Sequence, residues 1–463
     1  MRCRSLLAAL LLLAACSGAT SPTPSVVPSA TLAQTPTAAP SATPEPTATP
    51  PRVTVGHVAR VMIADLQAMD QPPQFGSSQP VGVLGQGELV TVTEGPDVVT
   101  HQRWWKVEVA ALIGWVPDLV TGQAALLDIA EPAARDWNVW AATTSSTLPA
   151  AVAALPARLY VPNEADASVT VVDVATRSVI DSLRTGILPE HVTPDWDLSR
   201  LYVSNYGSTF MSAIDAPTGN LVDPIQAPFA YNLYFTPDGT TAIVMAEEVD
   251  RVDFYDRVTW QPLGQLPIPW RGIDHADFSA GGRYLIASTE YASGHVLKID
   301  VVTRSIVGDL EVGGLPIDTK LSPNGIVFYN ANQGRHGVSI IDPISMKELA
   351  FLPTGTGAHG MAISRDTESL YVSNRLAGTI SVISFATRQV VATWPVGGTP
   401  DMLQVSPDGT ELWVSNRYGT TVTVINTVTG AVIDTIEVGR QPHGLTYFPQ
   451  PGRFSIGHNG VYR

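Results

Sequence analysis

Cysteine is nearly absent. Cys3 and Cys16 are the only two in 463 residues, so no disulfide framework, CxxC zinc cage or CxxCH haem attachment can be built. Charge is scarce too: 15% of residues are charged, and the formal balance is −15. A chain this acidic cannot neutralise many phosphates, so nucleic acid is not an expected partner. After the first fifteen residues no run of 18 uncharged apolar residues occurs, which leaves no candidate membrane-spanning helix. The Gly-x-Ser-x-Gly elbow, HExxH and 2-His-1-carboxylate spacings and Gly-rich phosphate loops are all missing, so nucleophilic and motif-based metal catalysis lack support. Gly (38) and Pro (37) are plentiful and 44% of residues are hydrophobic. The length exceeds one ordinary core, and the composition favours a turn-rich, mostly β, extracytoplasmic protein of two or three domains.

The first segment reads as an address. Arg2 and Arg4 precede an apolar run from Leu6 to Ala15, too short to span a bilayer and right for a signal-peptide core. It ends in Leu13-Ala14-Ala15-Cys16, which resembles the lipobox of bacterial lipoproteins. The resemblance implies removal of residues 1–15 and a diacylglycerol thioether on Cys16, an anchor in the cell membrane on its extracytoplasmic side. Residues 16–52 are then the lipidated Cys and a tether. Of residues 17–52, 29 are Ser, Thr, Pro or Ala, nine of them Pro. Such a segment cannot bury enough apolar surface to order itself, and at ~3.1 Å per residue it reaches up to roughly 110 Å.

Residues 53–120 change character. Val81 to Val92 reads as strand, glycine turn, strand; Trp104 to Val109 alternates; Gly114-Trp115-Val116 follows. Short Gly-punctuated strands predict a small barrel. Leu84, Gly87, Val90, Val92, Trp104 or Trp105, Val107, Gly114, Trp115 and Val116 resemble the pattern of bacterial SH3-like domains, although Gln67-Ala68-Met69 stands where the family has Asn-Val-Arg. The resemblance implies a peptidoglycan or envelope ligand, with Trp104, Trp105 and Trp115 as candidate surface residues; the competing expectation is that the tryptophans are core. Residues 121–157, with Trp137 and Trp140, read as a Pro-interrupted connector carrying a short helix.

The remainder, 158–463, is a repeat. Ser406-Pro407-Asp408-Gly409 recurs in degraded form, its second position falling at Pro194, Pro237, Ala280, Pro323, Arg365, Pro407 and Pro449, spaced by 42 or 43 residues. A strand follows each turn, as in Leu201 to Asn205 or Leu370 to Asn374. Four short strands at this period predict an all-β, seven-bladed β-propeller. The repeats resemble the YVTN type. The first repeat lacks an inner strand and the last inner strand, Gly444 to Phe448, lacks a blade, so the C-terminal strand is expected to complete the N-terminal blade. Strand-ending Asp residues such as Asp173 and Asp256 are replaced by Ser384 and Asn426 in later repeats, which makes them turn residues.

Counting six residues back from each turn position places Tyr231, Asp274, His359, Asp401 and His443 at one mouth of the channel, with His275 and Asp318 one residue further on. His191 falls out of register. Trp270, Arg271, Arg375 and Arg417 are expected nearby, and Glu247-Glu248 reads as a solvated loop. A funnel of this composition can bind a metal, an anion or a sugar; the competing expectation is that Pro-His-Gly and Pro-Asp merely open each inner strand. The favoured function is a non-catalytic, surface-anchored binding protein, monomeric, contacting envelope proteins or glycans through the propeller and the SH3-like domain. No cofactor is expected, a metal at the channel mouth being the one candidate. The alternative is a propeller enzyme or cofactor carrier, such as a metal-assisted lactonase-like hydrolase.

Overall fold

The computed structural model describes residues 53–463 except 75–76, 111 and 292–293. Cys16, the signal segment and the tether lie outside the described residues. Among those described, no helix is long and apolar enough to cross a membrane.

Seven four-stranded antiparallel units follow one another from Arg158. Blade 2 spans Pro189–Pro194, Arg200–Asn205, Met211–Asp215 and Leu221–Ile225; blade 3 starts at Asn232–Phe235, blade 4 at Ile273–Phe278, blade 5 at Pro316–Leu321, blade 6 at Ala358–Ile363 and blade 7 at Pro400–Val405. Blade 1 comprises Ser178–Arg184, Ser168–Asp173 and Arg158–Asn163, and its innermost strand is Thr446–Phe448. The register Arg158↔Phe448, Leu159↔Tyr447, Tyr160↔Thr446 sews the ring shut. Strands such as Leu201-Tyr202-Val203-Ser204 are buried on both faces because blades stack face to face. Outer strands alternate, as Gln389–Pro395 does, and a register shift recurs where they join, at Val171/Val172, Ile340/Ile341 and Val424/Ile425. Such bulges add twist and blunt an exposed edge.

The repeat motifs are structural devices. Ser406 Oγ donates to Asp408 Oδ1 at 2.6 Å, and Gly409, at φ +79°, closes the turn with its N–H on the Ser406 carbonyl at 3.0 Å. Asp173, Asp215 and Asp256 each accept the N–H three residues on, at 2.8–2.9 Å, and Asn426 does the same for Thr429. The strand-ending Asn is used alike: Asn374 Nδ2 donates to Thr379 and Ser381 hydroxyls at 2.9 Å, and Asn416 to Thr421 and Thr423. These residues carry the fold and are not available as ligands.

After Pro449 the chain makes a hairpin. Ser455–Gly457 pairs with Asn232–Phe235 through Tyr234↔Gly457, and Val461–Tyr462 runs back beside it. The free edge of an innermost strand faces the propeller axis, so this hairpin lies inside the channel. It runs in from the face carrying the Ser-Pro-Asp-Gly turns (the turn face). A Cβ on Gly457, φ +101°, would overlap the Leu233 carbonyl. Arg463 Nη2 donates to Asp277 Oδ1 at 2.7 Å at the turn-face end of blade 4.

The N-terminal region is a seven-stranded sheet with strand order Pro80–Leu84, Leu66–Met69, Leu112–Pro117, Gln102–Val109, Leu89–Val99, Val58–Val61, Leu126–Asp128. Two sequence expectations are corrected, the end of the domain and the exposure of two tryptophans. The strands expected either side of the Gly85–Gly87 turn form, Pro80–Leu84 and Leu89–Val99, but the domain does not end at 120, because Leu126–Asp128 pairs with Val58–Val61. Trp104 and Trp105 are buried, at 9% and 6% exposure, and so are not surface residues; Trp115 is partly exposed. The connector holds a one-turn helix, Pro132–Arg135.

This domain sits on the turn face of the propeller. Val139 N–H donates to the Pro323 carbonyl at 2.8 Å, Trp140 Nε1 to the Leu321 carbonyl at 3.1 Å and Tyr284 Oη to the Val109 carbonyl at 3.3 Å. Arg60, fully buried, donates to the Ala134 and Gly87 carbonyls at 2.9 and 2.8 Å and also reaches the Asn324 carbonyl of blade 5. The opposite face carries the interblade links and the Asn-x-x-Gly loops (the link face).

Candidate functional site

The inner strands begin at the link face, so side chains near their starts converge on the axis. There His443 Nδ1 donates to Asp401 Oδ2 at 2.5 Å, while its Nε2 lies 3.3 Å from the Tyr231 hydroxyl. Asp401 also takes both nitrogens of one edge of Arg375, Nε at 2.9 Å. Arg375 Nη2 donates to His359 Nε2 at 2.5 Å, and His359 Nδ1 lies 3.0 Å from Asp401. The partners settle the tautomers: His443 carries its proton on Nδ1 and accepts from Tyr231, and His359 accepts from Arg375. A continuous chain Tyr231–His443–Asp401–Arg375–His359 results, all buried.

Arg417 caps this chain, pairing with Glu164 and lying 3.5 Å from Glu190 Oε2. Burial pushes Glu190 up to about 8 despite Arg417. Burial, then Glu290 and Glu190, push Glu247 up to about 9; Glu290 is raised chiefly by burial as well. The expectation of a solvated Glu247-Glu248 pair is therefore half wrong: Glu247 is 5% exposed and faces the funnel, and only Glu248 is in solvent. Burial also works against Asp401, but the Arg375 and Arg417 guanidiniums outweigh it and hold the carboxyl below its usual range. His359 and His443 stay neutral well below the usual imidazole range, first through burial and then through Arg375 and Arg417 respectively.

Beneath this layer is a second one. Asp274 Oδ2 lies 3.0 Å from His275 Nδ1, and Asp318 Oδ1 accepts from Lys320 Nζ at 2.7 Å. His191 enters here: its Nδ1 contacts Asn459 Oδ1 at 2.6 Å. His458 approaches from the inserted hairpin, its Nδ1 2.9 Å from Asn232 Nδ2 and its Nε2 3.7 Å from Asp318. Ring centroids lie 5.1 Å apart for His191 and His275, 5.0 Å for His275 and His458, and 5.3 Å for His191 and His458. Burial is the main cause holding all three in the neutral form, His191 at about 4.

The seven side chains that the register count points to, with Arg375 and Arg417 expected beside them, thus all surround the channel, in two tiers. His359, His443, Asp401, Tyr231 and Arg375 are joined directly; Arg417 closes the mouth; His275, Asp274 and Asp318 lie deeper. Trp270 and Arg271 do not belong. Trp270 stacks on His295 at 3.8 Å and donates to Asp309 on the outer strand at 2.9 Å, and Arg271 is solvent-exposed. Sequence reasoning misses His191, His458, Asn459, Glu190 and Lys320. His191 sits past a register shift between Pro189 and His191, and the hairpin carries no repeat signal. Room for His191 comes from Gly444, where a Cβ would overlap the imidazole.

The arrangement defines a closed seven-bladed propeller with a polar, two-tiered channel plugged from its turn face. The chain belongs to the YNCE-like beta-propeller family, which it matches over residues 133–451. Among curated proteins there is no match. Many solved structures share the fold, among them the following two. Kuenenia stuttgartiensis hydrazine synthase aligns with TM-score 0.53 at 21% identity, covering 58% of this chain and 92% of its own. A functionally unknown protein from Desulfotomaculum acetoxidans DSM 771 aligns with TM-score 0.56 at 16% identity, covering 63% and 98%. At these identities the likeness is one of fold alone.

Proposed function

We propose that the protein is an extracytoplasmic, lipid-anchored recognition protein that binds an envelope protein or glycan on the link face of its propeller. The observation that carries this reading is an asymmetry between the two faces. The turn face is taken up by the N-terminal domain and the inserted hairpin. Among the described residues nothing covers the link face, which carries Ile187, Val249, Tyr291, Leu376 and Tyr418 at 38–62% exposure around the acid-lined funnel. Exposed apolar tips rimming a polar depression are what a binding surface needs. We read the N-terminal domain as SH3-like and as a rigid mount for the propeller, because its contacts with blades 4 and 5 use buried groups such as Arg60. Wall contact by this domain would rest on Trp115. Cys16 supplies the anchor and residues 17–52 the reach.

The test is binding of the full chain to purified peptidoglycan and to an envelope glycan and protein panel. Leu376→Asp with Tyr418→Asp should abolish saturable binding, and Val302→Asp with Val428→Asp, on turns of the opposite face, should not. Absence of saturable binding, or equal binding by both double variants, would refute the reading.

A further inference from the structure

The deeper tier of the channel has features that the recognition reading does not use. His191, His275 and His458 are 0–2% exposed. They come from blade 2, blade 4 and the inserted hairpin, and one imidazole nitrogen from each lies within 4.8 Å of those of the other two. Buried imidazoles normally satisfy their nitrogens. Here His191 Nε2 and both nitrogens of His275 have no hydrogen-bond partner. Leaving such groups dry and unpaired is unfavourable, so a cluster of them needs an explanation.

The outward-facing nitrogens also look prepared. His191 Nδ1 is held by Asn459 Oδ1 at 2.6 Å, which fixes the ring and leaves Nε2 free. His275 Nδ1 has the Asp274 carboxylate 3.0 Å away, whereas His458 Nδ1 accepts from Asn232 Nδ2 at 2.9 Å, so ligation through its Nε2 requires the Asn232 amide to turn its oxygen to the ring. A side-chain oxygen behind the ring, as at His191 and His275, is the arrangement that orients metal-ligating histidines. His191 and His275 stand two repeats apart in sequence, but His458 lies on the non-repeating hairpin, so sequence spacing does not reveal the cluster.

We propose that His191, His275 and His458 form a binding site for one divalent transition-metal cation of the zinc type. Three neutral imidazoles select such a cation over Ca²⁺ or Mg²⁺, which take oxygen ligands. Zn–N bonds of about 2.1 Å in tetrahedral geometry require nitrogens about 3.4 Å apart, so binding draws the three rings together by small side-chain rotations. Three protein ligands leave a fourth position open. One ligand comes from the hairpin, so the metal also pins the hairpin inside the ring, coupling binding to stability.

The experiment uses the full chain, stripped with chelator and titrated with Zn²⁺. One equivalent should bind, and the protein should melt at higher temperature with Zn²⁺ than without. His458→Ala and His275→Ala should each weaken binding at least 100-fold, and His336→Ala, an exposed loop histidine, should leave it unchanged. If a variant fails to fold, X-ray absorption on the zinc-loaded wild-type chain decides: three imidazole nitrogens at about 2.0 Å are expected. Failure to bind one equivalent, or a spectrum lacking three imidazoles, overturns the proposal. Neither outcome bears on the link-face binding assay, which reads a different surface.

Discussion

Replacing Arg463 by Met strands a buried carboxylate. The guanidinium donates to Asp277 Oδ1 at 2.7 Å and to the Phe278 and Ser279 carbonyls at 2.6 and 3.1 Å. Its side chain is 3% exposed and that of Asp277 2%. Removing one partner of such a pair generally costs about 3–5 kcal/mol. Asp277 keeps two backbone donors, the N–H groups of Phe278 and Leu321, each at 2.7 Å, and Met refills part of the volume. The low end, about 3 kcal/mol, therefore applies. The hairpin is held to the ring by a short ladder, so the loss should appear as local opening of residues 453–463 and not as unfolding of the blades. At about 1.4 kcal/mol per decade, their amides should exchange about 100-fold faster. Hydrogen exchange read by mass spectrometry on the full chain measures this directly. Arg463→Met with Asp277→Asn removes the stranded charge and should recover much of the protection. Unchanged exchange in the single variant would show that this pair does not clamp the hairpin, and the reasoning would fail.

Further predictions concern the anchor, the mount and the funnel. Cys16→Ser should move the protein from the detergent phase to the aqueous phase in a phase-partition assay; continued detergent partitioning would refute lipidation. Arg60→Met leaves three carbonyls without their donor, one of them, that of Asn324, across the contact with the propeller, where the loss costs about 1–3 kcal/mol. It should speed proteolysis within 121–157 and leave the ring's melting unchanged. Glu247→Gln tests the funnel electrostatics. The wild-type carboxyl, raised from 4.5 to about 9 by burial, holds its proton in the fold and releases it on unfolding. Its contribution to stability is therefore intact below about pH 4.5 and is lost as pH rises towards 9. Between about pH 5.5 and about pH 8.5 the wild type should lose stability relative to the Gln variant, in melts at each pH; a constant difference would contradict the assignment.

The blades were legible because each repeat writes its own turn and strands locally. Ser406-Pro407-Asp408-Gly409 and its relatives mark the turns, and the closing strand Thr446–Phe448 follows from counting inner strands. The same count puts His359, His443 and Asp401 on the axis, since position along an inner strand sets depth in the channel. What the count cannot supply is how the channel is filled. His458 and Asn459 arrive on a non-repeating hairpin whose partner, Tyr234, is more than two hundred residues away. His191 gains its place from a bulge, and Glu247 is buried next to Glu290 and Glu190 of other blades although its loop is polar in sequence. Trp104 and Trp105 illustrate the same limit: their pattern suits a strand, but which face is covered depends on the domain's own small core.

The central claim, that the link face is where this protein meets its partner, is tested most directly by hydroxyl-radical footprinting of the full chain bound to isolated bacterial envelopes. Tyr291, Leu376 and Tyr418 should lose reactivity on binding, while Val302 and Val428 keep theirs. Protection of Val302 and Val428 instead, or no protection on either face, would contradict it.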